Sequence, residues 1–160
     1  MARFSAWEMR KHLPAVVVGS SLGALVALQA GQAVPIAPLV LIAPALGFGR
    51  RWVDALPPGD AVAFFHHGEE REVRVHRRFF EEMARVEPDR EAPATPVTVI
   101  MGRQDESVPF DLVREVWNRW ETSGALREGS RFVEIPDGDH GLTAHVGRIA
   151  DEILAAAGES

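Results

Sequence analysis

The stretch Ala15-Val16-Val17-Val18-Gly19-Ser20-Ser21-Leu22-Gly23-Ala24-Leu25 decides the fold class of this chain. The valine-rich run 15–18 predicts a strand that is buried on both faces. The apolar run 22–30, closed by Gly31, predicts a helix. Between the two, residues 19–23 match the pattern Gly-x-Ser-x-Gly at a strand-to-helix turn. The local order is therefore strand, sharp turn and helix.

The two glycines of this turn select one serine. A nucleophile at such a turn has a strained backbone, and we expect side chains two residues away on either side to collide across it. Ser21 has glycine at both positions, whereas Ser20 would need glycines where the chain has Val18 and Leu22. A glycine-rich turn without activity explains the pentapeptide equally well, so further signals are needed.

The rest of the chain continues the alternation of strands and helices. Buried strands are predicted at 39–43, 97–101 and 131–135, and helices at 3–12, 110–121 and 141–157. This order predicts an α/β fold, with a parallel sheet of about four strands in sequential order and flanking helices. Right-handed crossovers place the connecting helices on one face and leave the other face to the terminal helix. At 160 residues the chain is expected to form a single domain, 1–160.

The segment 44–93 is longer than a simple crossover requires, and we interpret it as an excursion or lid. A hairpin of strands 61–65 and 72–76 and a helix at 77–86 are predicted within it. Its aromatic residues are weak candidates to wall a substrate pocket, and ordinary core packing explains them about as well: Phe48, Trp52, Phe64 and Phe65.

Two further residues complete a catalytic constellation with Ser21. A serine hydroxyl needs a base to remove its proton and an acid to orient that base. At this kind of turn the chain order is serine, acid and histidine. Asp105 follows the strand at 97–101, and His140 follows the strand at 131–135. All three residues are therefore expected at the carboxyl ends of strands, where ligands collect in open α/β sheets.

Several neighbouring residues stay open as alternatives or as structural residues. Glu106 adjoins Asp105 and would point elsewhere, while Asp137 and Asp139 are explained as turn residues that cap their loop. His145 is expected at the surface of the last helix. Three further histidines have no recognised ligand spacing, so no metal site is predicted for them: His66, His67 and His76.

The composition restricts the classes of partner. The net charge of -6 opposes a phosphate backbone and no basic run is interleaved with aromatics, so no nucleic-acid partner is expected and a neutral small substrate fits better. The absence of cysteine excludes disulfides and cysteine nucleophiles. Basic residues before the apolar run 15–30 imitate a secretory signal, but the serines and glycines of the turn interrupt it. We therefore expect a cytoplasmic protein with no membrane span.

These residues resemble the α/β-hydrolase superfamily across essentially the whole chain. Residues 19–23, the strand end Leu-Ile-Ala-Pro-Ala-Leu at 41–46 and the small size resemble small bacterial esterases of the YqiA type. The resemblance implies that Ser21 attacks an acyl carbonyl, His140 shuttles the proton, Asp105 holds the imidazole and the Leu22 amide donates to the oxyanion. It implies no cofactor. It predicts hydrolysis of a carboxylic ester, and less strongly of a thioester, through an acyl-enzyme.

The chain departs from this resemblance at its amino terminus. Only 20 residues precede Ser21, and they lack the His-Gly loop that supplies a second oxyanion donor in similar proteins. We expect amino-terminal strands to be missing, with Met1 an internal methionine, a misplaced start or the boundary of an excerpt. An exposed sheet edge, homo-oligomerisation through it and weak turnover would follow. The alternative function is a weak or inactive fragment that acts as a binding or interaction module.

Overall fold

The computed structural model describes residues 16–33, 37–47, 53–54, 56–66, 70–85 and 88–158. Its strands and helices, in chain order, are β1 (Val17–Ser20), α1 (Leu22–Ala33), β2 (Leu39–Ile42), β3 (Ala61–His66), β4 (Arg71–His76), α2 (Arg77–Arg85), β5 (Val97–Gly102), α3 (Phe110–Thr122), β6 (Arg131–Ile135) and α4 (Val146–Ala156). Short 3₁₀ turns lie at Pro88–Arg90 and Thr143–His145. The predicted helix at 3–12 lies outside the described residues.

The described residues form a main sheet of four parallel strands in the order β1-β2-β5-β6. Val17 lies opposite Leu39, Leu39 opposite Val97, and Thr98 opposite Arg131. The prediction of an α/β fold with a parallel sheet in sequential order is confirmed. Because the strands are parallel, their carboxyl ends lie at one edge of the sheet, next to residues 21, 43, 103 and 136.

Helices cover the two faces of the sheet unequally, as predicted. On one face, side chains of α1 and α3 form a core with alternate residues of the strands, and Phe110, Trp117 and Trp120 are its largest helical members. On the other face, Val40 and Ile100 pack with residues of α4. This alternation follows from the period of two along each strand. Helices thus pack on both faces of the sheet and fix the carboxyl ends of its strands relative to one another.

Two helix boundaries differ from prediction for identifiable reasons. Gly31 was expected to end α1, but the helix continues to Ala33. A Cβ atom at Gly31 would lie 2.8 Å from Cδ1 of Leu39, so this glycine permits close packing of α1 on β2. The last helix begins at Val146 rather than Gly141, because Leu142 has a left-handed φ of 49° and a 3₁₀ turn precedes the helix.

The excursion at 44–93 contains the predicted hairpin and helix. Strands β3 and β4 pair antiparallel in a separate two-stranded sheet, and α2 follows directly. Asp89, near the end of the excursion, contacts both the start of the excursion at Gly47 and Trp120 of α3. Its carboxylate accepts a hydrogen bond from the Gly47 amide at 2.8 Å, and its carbonyl accepts one from Nε1 of Trp120 at 3.0 Å. The two ends of the excursion are therefore held together beside α3.

In the part of the chain that the structure describes, no helix combines the length and the apolar character needed to cross a membrane.

Candidate active site

The turn between β1 and α1 is held by the strand next to it. Ser21 has a φ of +52°, a strained conformation for a residue with a side chain. Its amide donates to the carbonyl of Ile42 at 2.8 Å, and its carbonyl accepts from the amide of Ala45 at 3.2 Å. Ala43, with a φ of +42°, turns the chain between these two contacts. Hydrogen bonds to the end of β2 and to the loop after it therefore offset the strain at Ser21.

The two glycines around Ser21 have different roles. A Cβ atom at Gly19 would lie 2.5 Å from the carbonyl oxygen of Gly23 and 2.7 Å from Cα of Ala24. A Cβ atom at Gly23 would have no described atom within 4 Å. The expectation of a collision across the turn is confirmed for Gly19 and wrong for Gly23, where a Cβ atom would contact none of the described residues.

This difference gives a testable pair of variants. Gly19→Ala is expected to destabilise the fold by about 1–3 kcal/mol or more, because backbone atoms must move to make room. Gly23→Ala is expected to stabilise it by up to about 1 kcal/mol, since alanine is favoured over glycine in a helix. Urea denaturation of both variants measures the two changes. Similar losses of stability in both would contradict the account of the turn.

Ser21, His140 and Asp105 form one chain of hydrogen bonds. Nε2 of His140 lies 3.0 Å from Oγ of Ser21, and Nδ1 lies 2.8 Å from Oδ2 of Asp105. The Asp105 side chain is fully buried, and the His140 side chain is 33% exposed. The second carboxylate oxygen of Asp105 accepts from the amides of Ser107 and Val108 at 2.9 and 2.8 Å. The structure thus brings together the three residues that the sequence singled out.

The loops that carry Asp105 and His140 pack directly against each other. A Cβ atom at Gly102 would lie 2.2 Å from the carbonyl oxygen of Gly138. The same carbonyl accepts a hydrogen bond from the Gln104 amide at 2.9 Å. These glycines were not singled out from the sequence, although each lies two or three residues before a candidate catalytic residue. Their close contact sets the distance between the two loops.

Asp139 stabilises the histidine loop. Its Oδ1 accepts a hydrogen bond from the amide of Leu142 at 2.7 Å. This contact matches the interpretation of Asp139 as a turn residue. Asp137 lies 3.4 Å from Nε2 of His145, whose side chain is 20% exposed. His145 is therefore partly exposed, and it lies in the 3₁₀ turn before α4 rather than within that helix.

An ion-pair cluster fixes the start of the acid loop to β6. Arg103 donates a hydrogen bond to Glu134, and Arg114 approaches the same carboxylate at 3.4 Å. The hydrogen bond from Arg103 lowers the pKa of Glu134, with the nearby charges adding to the effect. The Arg114 guanidinium also lies 3.7 Å from the ring centroid of Phe132.

The other candidate residues have different positions. Leu22 is the first residue of α1, so its amide is one of the helix-terminal donors that lack an intrahelical acceptor. The residue is 39% exposed. Phe48 and Trp52 lie outside the described residues, and Phe64 and Phe65 lie on β3. Their role in a pocket stays a prediction. Glu106 is exposed, and within the described ranges no three acidic or imidazole side chains are grouped to hold a metal ion.

The model of UPF0227, an uncharacterised protein family, matches residues 6–146, which is most of the chain. The chain belongs to this family. The match and the architecture agree with the resemblance to the α/β-hydrolase superfamily and to YqiA-like proteins. A search of curated proteins finds no match.

Solved structures place this UPF0227 member among proteins with the α/β-hydrolase fold. A putative hydrolase from Agrobacterium vitis S4 is 20% identical, with a TM-score of 0.64. The match covers 96% of this chain and 66% of that chain. Est1E from Butyrivibrio proteoclasticus, solved with ferulic acid, is 15% identical, with a TM-score of 0.67 and coverages of 98% and 67%. Paleococcus ferrophilus monoacylglycerol lipase is 15% identical, with a TM-score of 0.64 and coverages of 100% and 74%. The chain spans about two thirds of the length of the first two.

Proposed function

We propose that this chain is a serine hydrolase that cleaves a carboxylic ester, or less readily a thioester, of a small substrate through an acyl-enzyme. The hydrogen-bonded chain from Ser21 through His140 to Asp105 carries this proposal. The distances of 3.0 and 2.8 Å fall within the range expected for a nucleophile and its base, and for a base and its orienting acid.

The proposed reaction has two halves. Oγ of Ser21 attacks the acyl carbonyl carbon while Nε2 of His140 takes the hydroxyl proton, and the carbonyl electron pair moves to the oxygen beside the Leu22 amide. The intermediate collapses as the bond to the leaving oxygen breaks, and His140 protonates that oxygen. Water then attacks the acyl-enzyme by the same route, with His140 first as base and then as acid. Asp105 orients the imidazole and stabilises its charged form.

The support for an ester substrate comes from the nucleophile, a similar structure and the net charge of the chain. The fold hosts many reactions, so it does not select one. Serine as nucleophile suits acyl transfer, and one of the similar structures is described as a monoacylglycerol lipase. The net charge of -6 favours a neutral substrate over an anionic polymer. The reaction as proposed needs no cofactor, and a cytoplasmic location remains part of the proposal.

Hydrolysis of p-nitrophenyl esters tests this function. We expect the purified chain to release nitrophenol with saturation kinetics, and with an initial burst of up to one equivalent per chain if deacylation is slow. The rate should exceed that of a Ser21→Ala chain prepared in the same way. A folded wild-type chain whose rate equals that of the variant would overturn the proposal and favour a non-catalytic binding module.

A further inference from the structure

A groove of about 280 Å³ lies between α1 and α2, and its lining begins at Leu22, the residue that follows Ser21 in the chain. Leu22, Leu25 and Val26 line it from α1, and Phe79 and Met83 line it from α2. Three of these apolar side chains are exposed, by 39% at Leu22, 65% at Val26 and 41% at Phe79. Clustered exposed apolar side chains rimmed by polar residues are typical of a binding surface.

The groove follows the axis of α1 away from the reacting atoms. Leu22, Leu25, Val26 and Gln29 are spaced as i, i+3, i+4 and i+7, so they form one stripe along the helix. The stripe begins at the residue that directly follows Ser21. Seven residues of helix span about 10 Å. An extended chain of about eight carbons, with zigzag bonds of about 1.5 Å, has a similar length.

The charges around the groove suit an uncharged chain. Glu82 and Gln29 are its polar lining residues, and both are exposed. Oε1 of Glu82 accepts a hydrogen bond from Nε of Arg78 at 2.7 Å, so its carboxylate already has a partner on the same helix. The other five described lining residues are apolar and offer no group to pair with a charged or strongly polar ligand.

We propose that this groove binds the acyl chain of a medium-chain ester, an inference that rests on the proposed function of Ser21. When the substrate carbonyl lies between Oγ of Ser21 and the Leu22 amide, the first carbons of the acyl chain meet the Leu22 side chain at the mouth of the groove. The rest of the chain then lies between Val26 on α1 and Phe79 on α2. An octanoyl group fills this path, whereas an acetyl group does not reach it.

Binding of neutral acyl amides tests the groove without requiring catalysis. In a Ser21→Ala chain, octanamide is expected to bind at least about tenfold more tightly than acetamide, as measured by calorimetry, because its added methylenes are buried. Val26→Glu in that background should remove most of this difference by placing a charge among the apolar lining. The matched control is Leu154→Glu, which adds the same charge at a 47% exposed apolar position on α4 and should keep the difference.

The outcomes separate the groove from the catalytic proposal. Equal binding of octanamide and acetamide would contradict the proposed role of the groove. So would an equal loss of the preference for octanamide in the Val26→Glu and Leu154→Glu chains. In the chain with Ser21 intact, the same inference predicts a higher kcat/KM for p-nitrophenyl octanoate than for the acetate, with that ratio lowered by Val26→Glu. A chain that binds octanamide as expected but hydrolyses neither ester would overturn the proposed function and leave the groove supported.

Discussion

Replacing Ser21 with alanine is expected to lower kcat for ester hydrolysis by about 10⁶-fold, since losing the nucleophile leaves only substrate binding and the oxyanion contact. Ser20→Ala is the matched control, because it makes the same serine-to-alanine change at the preceding residue. Ser20 is the last residue of β1 and is exposed, whereas Oγ of Ser21 lies 3.0 Å from His140. The Ser20→Ala chain should therefore keep a substantial fraction of the activity. Initial rates of p-nitrophenyl ester hydrolysis measure both, and equal losses would contradict the assignment of Ser21.

Asp105→Asn is expected to lower kcat by about 10⁴-fold, because an amide in place of the carboxylate favours the wrong imidazole tautomer. The fold should tolerate the change. The asparagine oxygen can still accept from the amides of Ser107 and Val108, which now donate to Oδ1 of Asp105 at 2.9 and 2.8 Å. Urea denaturation therefore serves as a second measurement beside the rate.

The control for Asp105→Asn is Glu106→Gln, which makes the same chemical change at the adjacent exposed residue. Its activity should stay close to that of the wild type. A loss at Glu106 as large as that at Asp105, or a fall in rate that merely follows a fall in stability, would contradict the role assigned to the buried carboxylate.

The parts of the fold that the sequence predicts well depend on local patterns. The strand at 131–135 has the predicted bounds, and α3 extends only one residue beyond prediction, to Thr122. Continuous apolar runs and helical spacing depend on residues close together in the chain, so contacts between distant segments change these elements little. The meeting of Ser21, Asp105 and His140 was also predictable, because each follows a strand of one parallel sheet.

The misplaced boundaries and missed residues depend on contacts between distant segments. Glycine usually ends a helix, but Gly31 lies inside α1 because the side chain of Leu39 packs against it. Gly102, at the end of β5, contacts Gly138 in the loop after β6, 36 positions later in the chain, and no local sequence pattern predicts that contact. Gly23 fits the turn pattern although its position has room for a side chain in the described structure.

The central claim is that Ser21 is a nucleophile activated by His140, and covalent labelling with a fluorophosphonate tests it most directly. The reagent phosphonylates an activated serine with loss of fluoride, and peptide mapping by mass spectrometry locates the adduct. The account predicts one adduct per folded chain, at Ser21, with none on the urea-denatured chain and much slower labelling of the Asp105→Asn chain. A folded chain that stays unlabelled, or that carries the adduct at Ser20, would contradict it.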